Sequence, residues 1–237
     1  MINPTTILTR YLTKTKFISF LNEGLYLSKV TKFNDDWEGI LPYLKKDIEN
    51  NLLNIKSIRQ ALEWVYAICW YYGEDEDIEM WDEYGKDNEA IAIQTTAHNL
   101  QYLFFSEDRK VQSYFDYVSY KDPDVETFKR HRSVTVLTNH LSNEGYPQLI
   151  FSSLFSFYKN VKHKKDNEIR LAIIDSNACL DKDNPVNGIL LNINNKEAFL
   201  VKIIIGPRSS KSYKDEIQSL LKANNIKMKV VDSKIKL

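Results

Sequence analysis

The stretch Asn167-Glu168-Ile169-Arg170-Leu171-Ala172-Ile173-Ile174 places two opposite charges at alternate positions at the head of an apolar run. A run of this length and composition reads as a strand. With a side-chain period of two, Glu168 and Arg170 share one face while Ile169 and Leu171 share the other. A carboxylate and a guanidinium are thus aimed from the mouth of one strand. Burying an ion costs several kcal/mol unless it is paired and hydrogen-bonded, so the pair calls for a reason. Two reasons stand: an edge strand with one wet face, or a polar cleft in which Glu168 and Arg170 carry function.

The 237 residues, with 32 basic and 32 acidic side chains, make a chain long enough to bury a core without disulfide staples. Charge balance gives no global pull toward nucleic acid or membrane, so a nucleic-acid partner needs a local basic patch. Cys69, in an Ala-Ile-Cys-Trp run, and Cys179, beside Leu180, read as small buried hydrophobes. No run approaches the ~18 apolar residues of a membrane span, and a soluble cytoplasmic protein is expected. The 14 Tyr, 11 Phe and 4 Trp against only 7 Gly disfavour Gly-rich phosphate loops and favour a packed core.

Outward from Glu168, the chain alternates short strands and helices. Residues 7–13 are β-compatible, Lys16–Gly24 forms a short helix stopped by Gly24, and Leu25–Ser28 reads as a strand. Phe33-Asn34-Asp35-Asp36-Trp37-Glu38-Gly39 has neither period: it reads as a loop carrying chemistry or as a helix start near Trp37 capped by Asn34 or Asp35, and either way Glu38 and the remaining amide or carboxylate are left to face a cleft. Helices are expected over 41–53 and 57–66, followed by a covered strand over 67–72. The acidic run 74–77 reads as a solvated helix start. Ile78–Gly85 makes a short helix carrying Trp81 and Tyr84 on one side, and Glu89–Gln94 a strand. A helix over 96–105 precedes a Tyr/Val-alternating strand over 111–120. Two helices divided near Gly145 and Pro147 are expected over 124–159. Strands over 188–193 and 198–205, a helix over 212–224 and a strand over 227–231 complete the chain. With no repeat or linker, residues 1–237 are expected to form one α+β domain, a mixed or antiparallel central sheet flanked by helices.

His98, His131, His140 and His163 are scattered, and no zinc-protease pair, serine elbow or Cys-x-x-Cys motif is present, so no metal site is expected. The remaining candidates gather at predicted strand ends: Arg10 and Tyr11, the Asn34–Glu38 loop, Trp81 and Tyr84, and Glu168 with Arg170.

These blocks carry a resemblance to the bacterial domain-of-unknown-function family 2971. It rests on Arg10-Tyr11, on Gly24-Leu25-Tyr26-Leu27 with Phe33–Glu38, on Cys69-Trp70 with Met80–Gly85, on Glu168–Leu171 and on Ile203–Arg208. Asp36 departs from that family's usual Pro, and Lys86–Ala90 replaces its glycine-rich segment. The resemblance implies a setting in abortive infection and phage defence, as toxin or effector. In outline the element order is also similar to NAD-dependent ADP-ribosyltransferases. That likeness implies NAD as substrate, Arg10 as its anchor, Tyr26 or Tyr84 stacked on nicotinamide, and Glu168 as the catalytic carboxylate. Tyr11, Asn34, Asp35, Glu38, Trp81 and Arg170 would complete the nucleotide site, with a protein or nucleic acid as acceptor. Such a carboxylate stabilises the oxocarbenium ion formed as nicotinamide leaves. Two other classes compete. One is a metal-dependent nuclease or phosphoesterase using Asp35, Glu38 and Glu168. The other is a non-enzymatic sensor or toxin–antitoxin partner, binding a phage trigger or a second copy, in which Glu168, Arg170 and Asp35 form a structural ion network.

Overall fold

The computed structural model describes residues 2–33, 60–73, 75–85, 88–105, 112–121, 135–138, 157–175, 178 and 182–236. Along the chain run β1 (Ile7–Thr13), α1 (Lys14–Glu23), β2 (Leu25–Lys29) and β3 (Val65–Tyr72), then a helical turn Ile78–Met80 continuing as a π-helical turn Trp81–Gly85. Next come β4 (Ala90–Thr96), α2 (Ala97–Phe105), β5 (Gln112–Tyr117), β6 (Ser119–Lys121), β7 (Thr135–Thr138) and β8 (Tyr158–Asn160). A 3-10 turn Val161–Asp166 leads to β9 (Glu168–Ile174) and β10 (Gly188–Leu191); β11 (Lys202–Ile205), α3 (Lys211–Ala223) and β12 (Val230–Asp232) close the order. The fold is α+β with a mixed, mostly antiparallel central sheet, as the element pattern predicts.

The chain groups into two compact units that interleave in sequence. One takes Ile2–Leu25, Trp70–Leu103 and Leu190–Leu237. Here β1 pairs antiparallel with β4 over its full length, from Ile7 opposite Thr96 to Thr13 opposite Ala90, and β11 joins β4 antiparallel and β12 parallel. Thr13 ends β1 and starts α1 by accepting the Lys16 N–H. The inner face of α1 buries Phe17, Phe20 and Leu21, and Phe199 packs between Phe20 and Trp70 at 6.4 and 6.2 Å. Ser210 caps α3, which buries Tyr213, Ile217 and Leu221 at helical spacing. Each such side chain contributes roughly 1.5–3 kcal/mol on leaving water.

The other unit holds Tyr26–Cys69 and Phe104–Ile189. Within it β9 runs between β3 and β5, pairing antiparallel with β5 from Gln112 opposite Ile174 to Tyr117 opposite Ile169. All seven β9 residues are buried and both edges of β9 are occupied, so of the two readings of this strand the wet-faced edge strand is excluded. A second buried cation closes β2. The Lys29 ammonium donates to Glu63 at 2.7 Å and to the Asn184 carbonyl at 2.6 Å, while Asn184 donates to the Tyr66 hydroxyl at 2.7 Å.

Several local expectations change. Val65 and Tyr66 belong to β3, not to a helix over 57–66, because Tyr66 takes a ladder position opposite Lys29. The strand expected over 111–120 breaks at Val118, whose N–H turns to the Glu168 carbonyl while Ser119 donates to Phe157. Thr135–Thr138, placed in a helix by the sequence, is a strand on β5, and Tyr158–Asn160 a strand parallel to β6; both suit β-branched or aromatic residues with a partner available. Ala198 and Phe199 form a helical turn capped by Asn195, which delays β11 to Lys202. The closing strand begins at Val230 rather than at Lys227. Cys69 forms no disulfide and is half-buried rather than fully enclosed. The helix over 41–53, the loop 34–39 and Cys179 lie outside the described residues.

Gly24 ends α1 at φ 108°, where a Cβ would stand 2.2 Å from the Leu191 carbonyl oxygen. Gly24→Ala is therefore expected to destabilise the protein by on the order of 2–3 kcal/mol in urea unfolding. A change within about 0.5 kcal/mol would contradict this account of the turn.

Candidate functional site

The unit containing β9 buries a four-membered charge cluster at that strand's start. Lys159, Asp166, Glu168 and Arg170 are 6%, 1%, 4% and 1% exposed. The Lys159 ammonium, at the centre of β8, donates to Asp166 Oδ2 at 2.6 Å and to Glu168 Oε1 at 2.8 Å. Arg170 donates through Nε and Nη2 to Glu168 Oε2, each at 2.7 Å. Both Glu168 oxygens are thus held by cations, and the two positive and two negative groups cancel formally. The period-two prediction that Glu168 and Arg170 share a face is met by this contact. The 3-10 turn Val161–Asp166 ends on Asn167 at φ 42°, a left-handed residue of the kind Asn tolerates. The chain then enters β9 with Glu168 facing Lys159.

Two aromatic groups complete the cluster. The Arg170 guanidinium lies 5.3 Å from the centroid of Phe33, the first residue of the Phe-Asn-Asp-Asp-Trp-Glu block, so two distant sequence blocks meet here. The Tyr120 hydroxyl accepts the Glu168 backbone N–H at 2.8 Å, and burial together with the Glu168 charge pushes that phenol well above its ordinary range. Burial by itself would raise the Glu168 carboxyl, but the charges and hydrogen bonds of Arg170 and Lys159 more than offset it and bring its pKa from 4.5 down to about 2.

The other predicted residues lie in the unit built on β1 and β4. Tyr11 is buried: its hydroxyl accepts the Asp77 N–H at 3.1 Å, and its ring meets Trp81 edge-on at 4.8 Å and Tyr71 at 6.0 Å. Burial raises the Tyr11 phenol, the neighbouring Tyr71, Glu76 and Asp77 adding to the effect. Trp81 is 2% exposed and donates to Glu76 Oε2 at 3.2 Å. Glu76 also accepts from Ser233 Oγ at 2.5 Å and from the Lys234 N–H at 3.0 Å, which corrects the reading of the acidic run as merely solvated. Tyr84 packs half-buried against this cluster with Met80, Ala92 and Ile204. Asp82 pairs with Arg208, tying the Ile203–Arg208 stretch to the same place. Arg10 is half-buried, opposite Ile93 in the β1–β4 ladder. The structure therefore joins Arg10, Tyr11, Trp81 and Tyr84 in one unit, and Glu168 with Arg170 in the other.

Tyr26 belongs to the Glu168 unit and is 47% exposed, its ring seated over Gly188, where a Cβ would stand 2.2 Å from Tyr26 Cζ. Asn34, Asp35 and Glu38 lie outside the described residues. Lys159, Asp166 and Tyr120 were missed as site residues. Asp166 carried a signal, since it continues the alternate-position series Asp166, Glu168, Arg170; Lys159 carried none beyond its place in a basic run.

A group that is ionised down to about pH 2 is no proton acceptor near neutrality. The metal alternative draws on Glu168 and on Asp35 and Glu38, the last two outside the described residues. Lys159 Nζ stands between the Asp166 and Glu168 carboxylates, where a divalent ion would bridge them, and among the described residues no cluster of three or more His, Cys, Asp or Glu side chains could hold a metal. Comparison of the chain with family models, with characterised proteins and with solved structures finds no match.

Because Glu168 titrates lower in the folded protein than in the unfolded chain, the unfolded chain binds the extra proton between about pH 4.5 and about pH 2. The stabilisation is present above that window and lost as pH falls through it. Urea unfolding across pH 2–5 is expected to show a loss on the order of 3 kcal/mol in the wild type that Glu168→Gln lacks. Parallel acid limbs for the two proteins would contradict the assignment.

Proposed function

We propose that this chain is a partner-binding protein of a bacterial phage-defence system, with the Glu168 cluster holding its shape. The observation that carries this reading is the commitment of Glu168. Both carboxylate oxygens are engaged by Lys159 and Arg170, and the residue is 4% exposed. A reacting ribose would have to displace a buried cation to reach it, leaving that cation unpaired at a cost of several kcal/mol. Buried ionic groups of this kind serve specificity of structure, since apolar replacements of similar volume are often as stable. The defence setting rests on the resemblance to family 2971.

The binding surface supported best lies around Tyr26. Its ring covers Gly188, and Val186, two residues earlier, is 45% exposed. Asn184 holds this approach in place by accepting the Val186 N–H at 3.0 Å. An exposed tyrosine beside an exposed aliphatic side chain on an ordered backbone suits a protein partner such as a phage-encoded trigger.

A second reading, an NAD-consuming enzyme or ADP-ribosyltransferase, is favoured by the ionised Glu168 beside Arg170 and by the exposure of Tyr26, one of the two aromatics, with Tyr84, assigned to nicotinamide. An ionised carboxylate is the electrostatic form that stabilises an oxocarbenium ion.

The readings separate in two assays. Purified wild-type protein with NAD is expected to release no nicotinamide, and Tyr26→Asp with Val186→Asp is expected to abolish plaque protection in a host carrying the gene while leaving the melting temperature unchanged. Nicotinamide release that disappears in folded Glu168→Gln would replace the binding reading with the transferase.

A further inference from the structure

The chain is neutral overall, yet its last structural stretch is strongly basic: between residues 222 and 236 stand Lys222, Lys227, Lys229, Lys234 and Lys236, all exposed, against a single carboxylate, Asp232. That carboxylate already accepts from Lys214 Nζ at 2.6 Å. Lys222 and Lys227 line one groove of about 420 Å³ at the C-terminal end of α3, together with Gln218, Ser219, Asn225 and Ile226. No acidic side chain lines it.

The groove is held in shape by its own backbone. Asn225, at φ 58°, turns the chain back after α3, and the Ile226 N–H returns to the Leu221 carbonyl at 2.9 Å. Gln218 then clamps the following segment, donating to the Met228 carbonyl at 2.9 Å and accepting the Val230 N–H at 3.0 Å. Along this clamped segment Ile226 and Val230 are buried while Lys227 and Lys229 are exposed, so the two ammonium groups project outward from a backbone that is already ordered.

We propose that Lys222, Lys227 and Lys229 form a binding site for the phosphodiester backbone of a nucleic acid. Ordered lysines without a carboxylate among them supply the electrostatic, sequence-independent part of such recognition. An anionic membrane is the weaker match, because surface docking on lipid adds apolar side chains that enter the headgroup layer. Between residues 211 and 236 the large apolar side chains are buried or partly buried, and none is fully exposed. The ordinary role of lysines beside an edge strand, blocking strand addition, needs neither the groove nor the Gln218 clamp.

The site is tested by fluorescence anisotropy with a labelled single-stranded oligonucleotide, and with the duplex of the same sequence as a second probe, across a salt series. For three phosphate contacts on the single strand, log K is expected to fall against log salt with a slope of about −2. The Lys222→Gln/Lys227→Gln/Lys229→Gln protein is expected to bind at least about tenfold more weakly with a slope near zero, at unchanged melting temperature. A control carrying Lys162→Gln, Lys164→Gln and Lys182→Gln, exposed lysines in the other unit, is expected to bind as wild type. Four outcomes would overturn the proposal: no salt-dependent binding to either probe, wild-type affinity in the triple variant, equal weakening in the control, or tighter binding to phosphatidylserine vesicles than to both oligonucleotides.

Discussion

The Glu168 carboxylate, gripped on one oxygen by Lys159 and on the other by Arg170, is the interaction on which the unit around β9 depends. Each of the four cluster residues would cost several kcal/mol to bury alone, so none of them is stable there without the others. Lys159 brings β8 to β9, Asp166 closes the 3-10 turn between them, and Arg170 carries the contact on to Phe33. A carboxylate restrained in this way is a poor proton acceptor and a good strut. Its chemistry explains why a charged pair can open a strand that is otherwise wholly apolar.

The second unit solves a comparable problem with fewer charges. Glu76 accepts hydrogen bonds from the Trp81 indole, the Ser233 hydroxyl and the Lys234 backbone, while Tyr11 accepts from Asp77 and packs edge-on against Trp81. Residues from three separated parts of the chain therefore meet around one aromatic pair. Their polar ends are satisfied from within, as buried Tyr and Trp require, so the arrangement reads as packing with polar handles. The basic groove beside α3 lies in the same unit, and its lysines Lys222 and Lys227 are exposed.

Elements whose boundaries are set by neighbouring residues were legible in the sequence. Gly24 stops a helix, and the strand of β1, the helix α3 and the shared face of Glu168 and Arg170 follow from period; the caps Thr13 and Ser210 that start α1 and α3 earlier than expected were not read. Features decided by distant partners were not. The four residues of β7 become a strand by pairing with β5, and the burial of β9 depends on having β3 on one side and β5 on the other. Lys159 lies nine residues before Glu168 with no periodic relation to it, so its role shows only once the 3-10 turn folds the chain back. Tyr11 and Trp81, read from the sequence as parts of a nucleotide site, meet edge-on across seventy residues of chain.

A double-mutant cycle on Lys159→Met and Glu168→Gln, read by urea unfolding at neutral pH, bears most directly on whether these charges act as one structural unit. Each single change leaves the buried cluster with a net charge, whereas the double change leaves Asp166 and Arg170, one of each sign, and restores its formal neutrality. The account predicts that the double variant is more stable than the sum of the single losses by about 2 kcal/mol. Losses that add to within about 0.5 kcal/mol would show two independent side chains and contradict it.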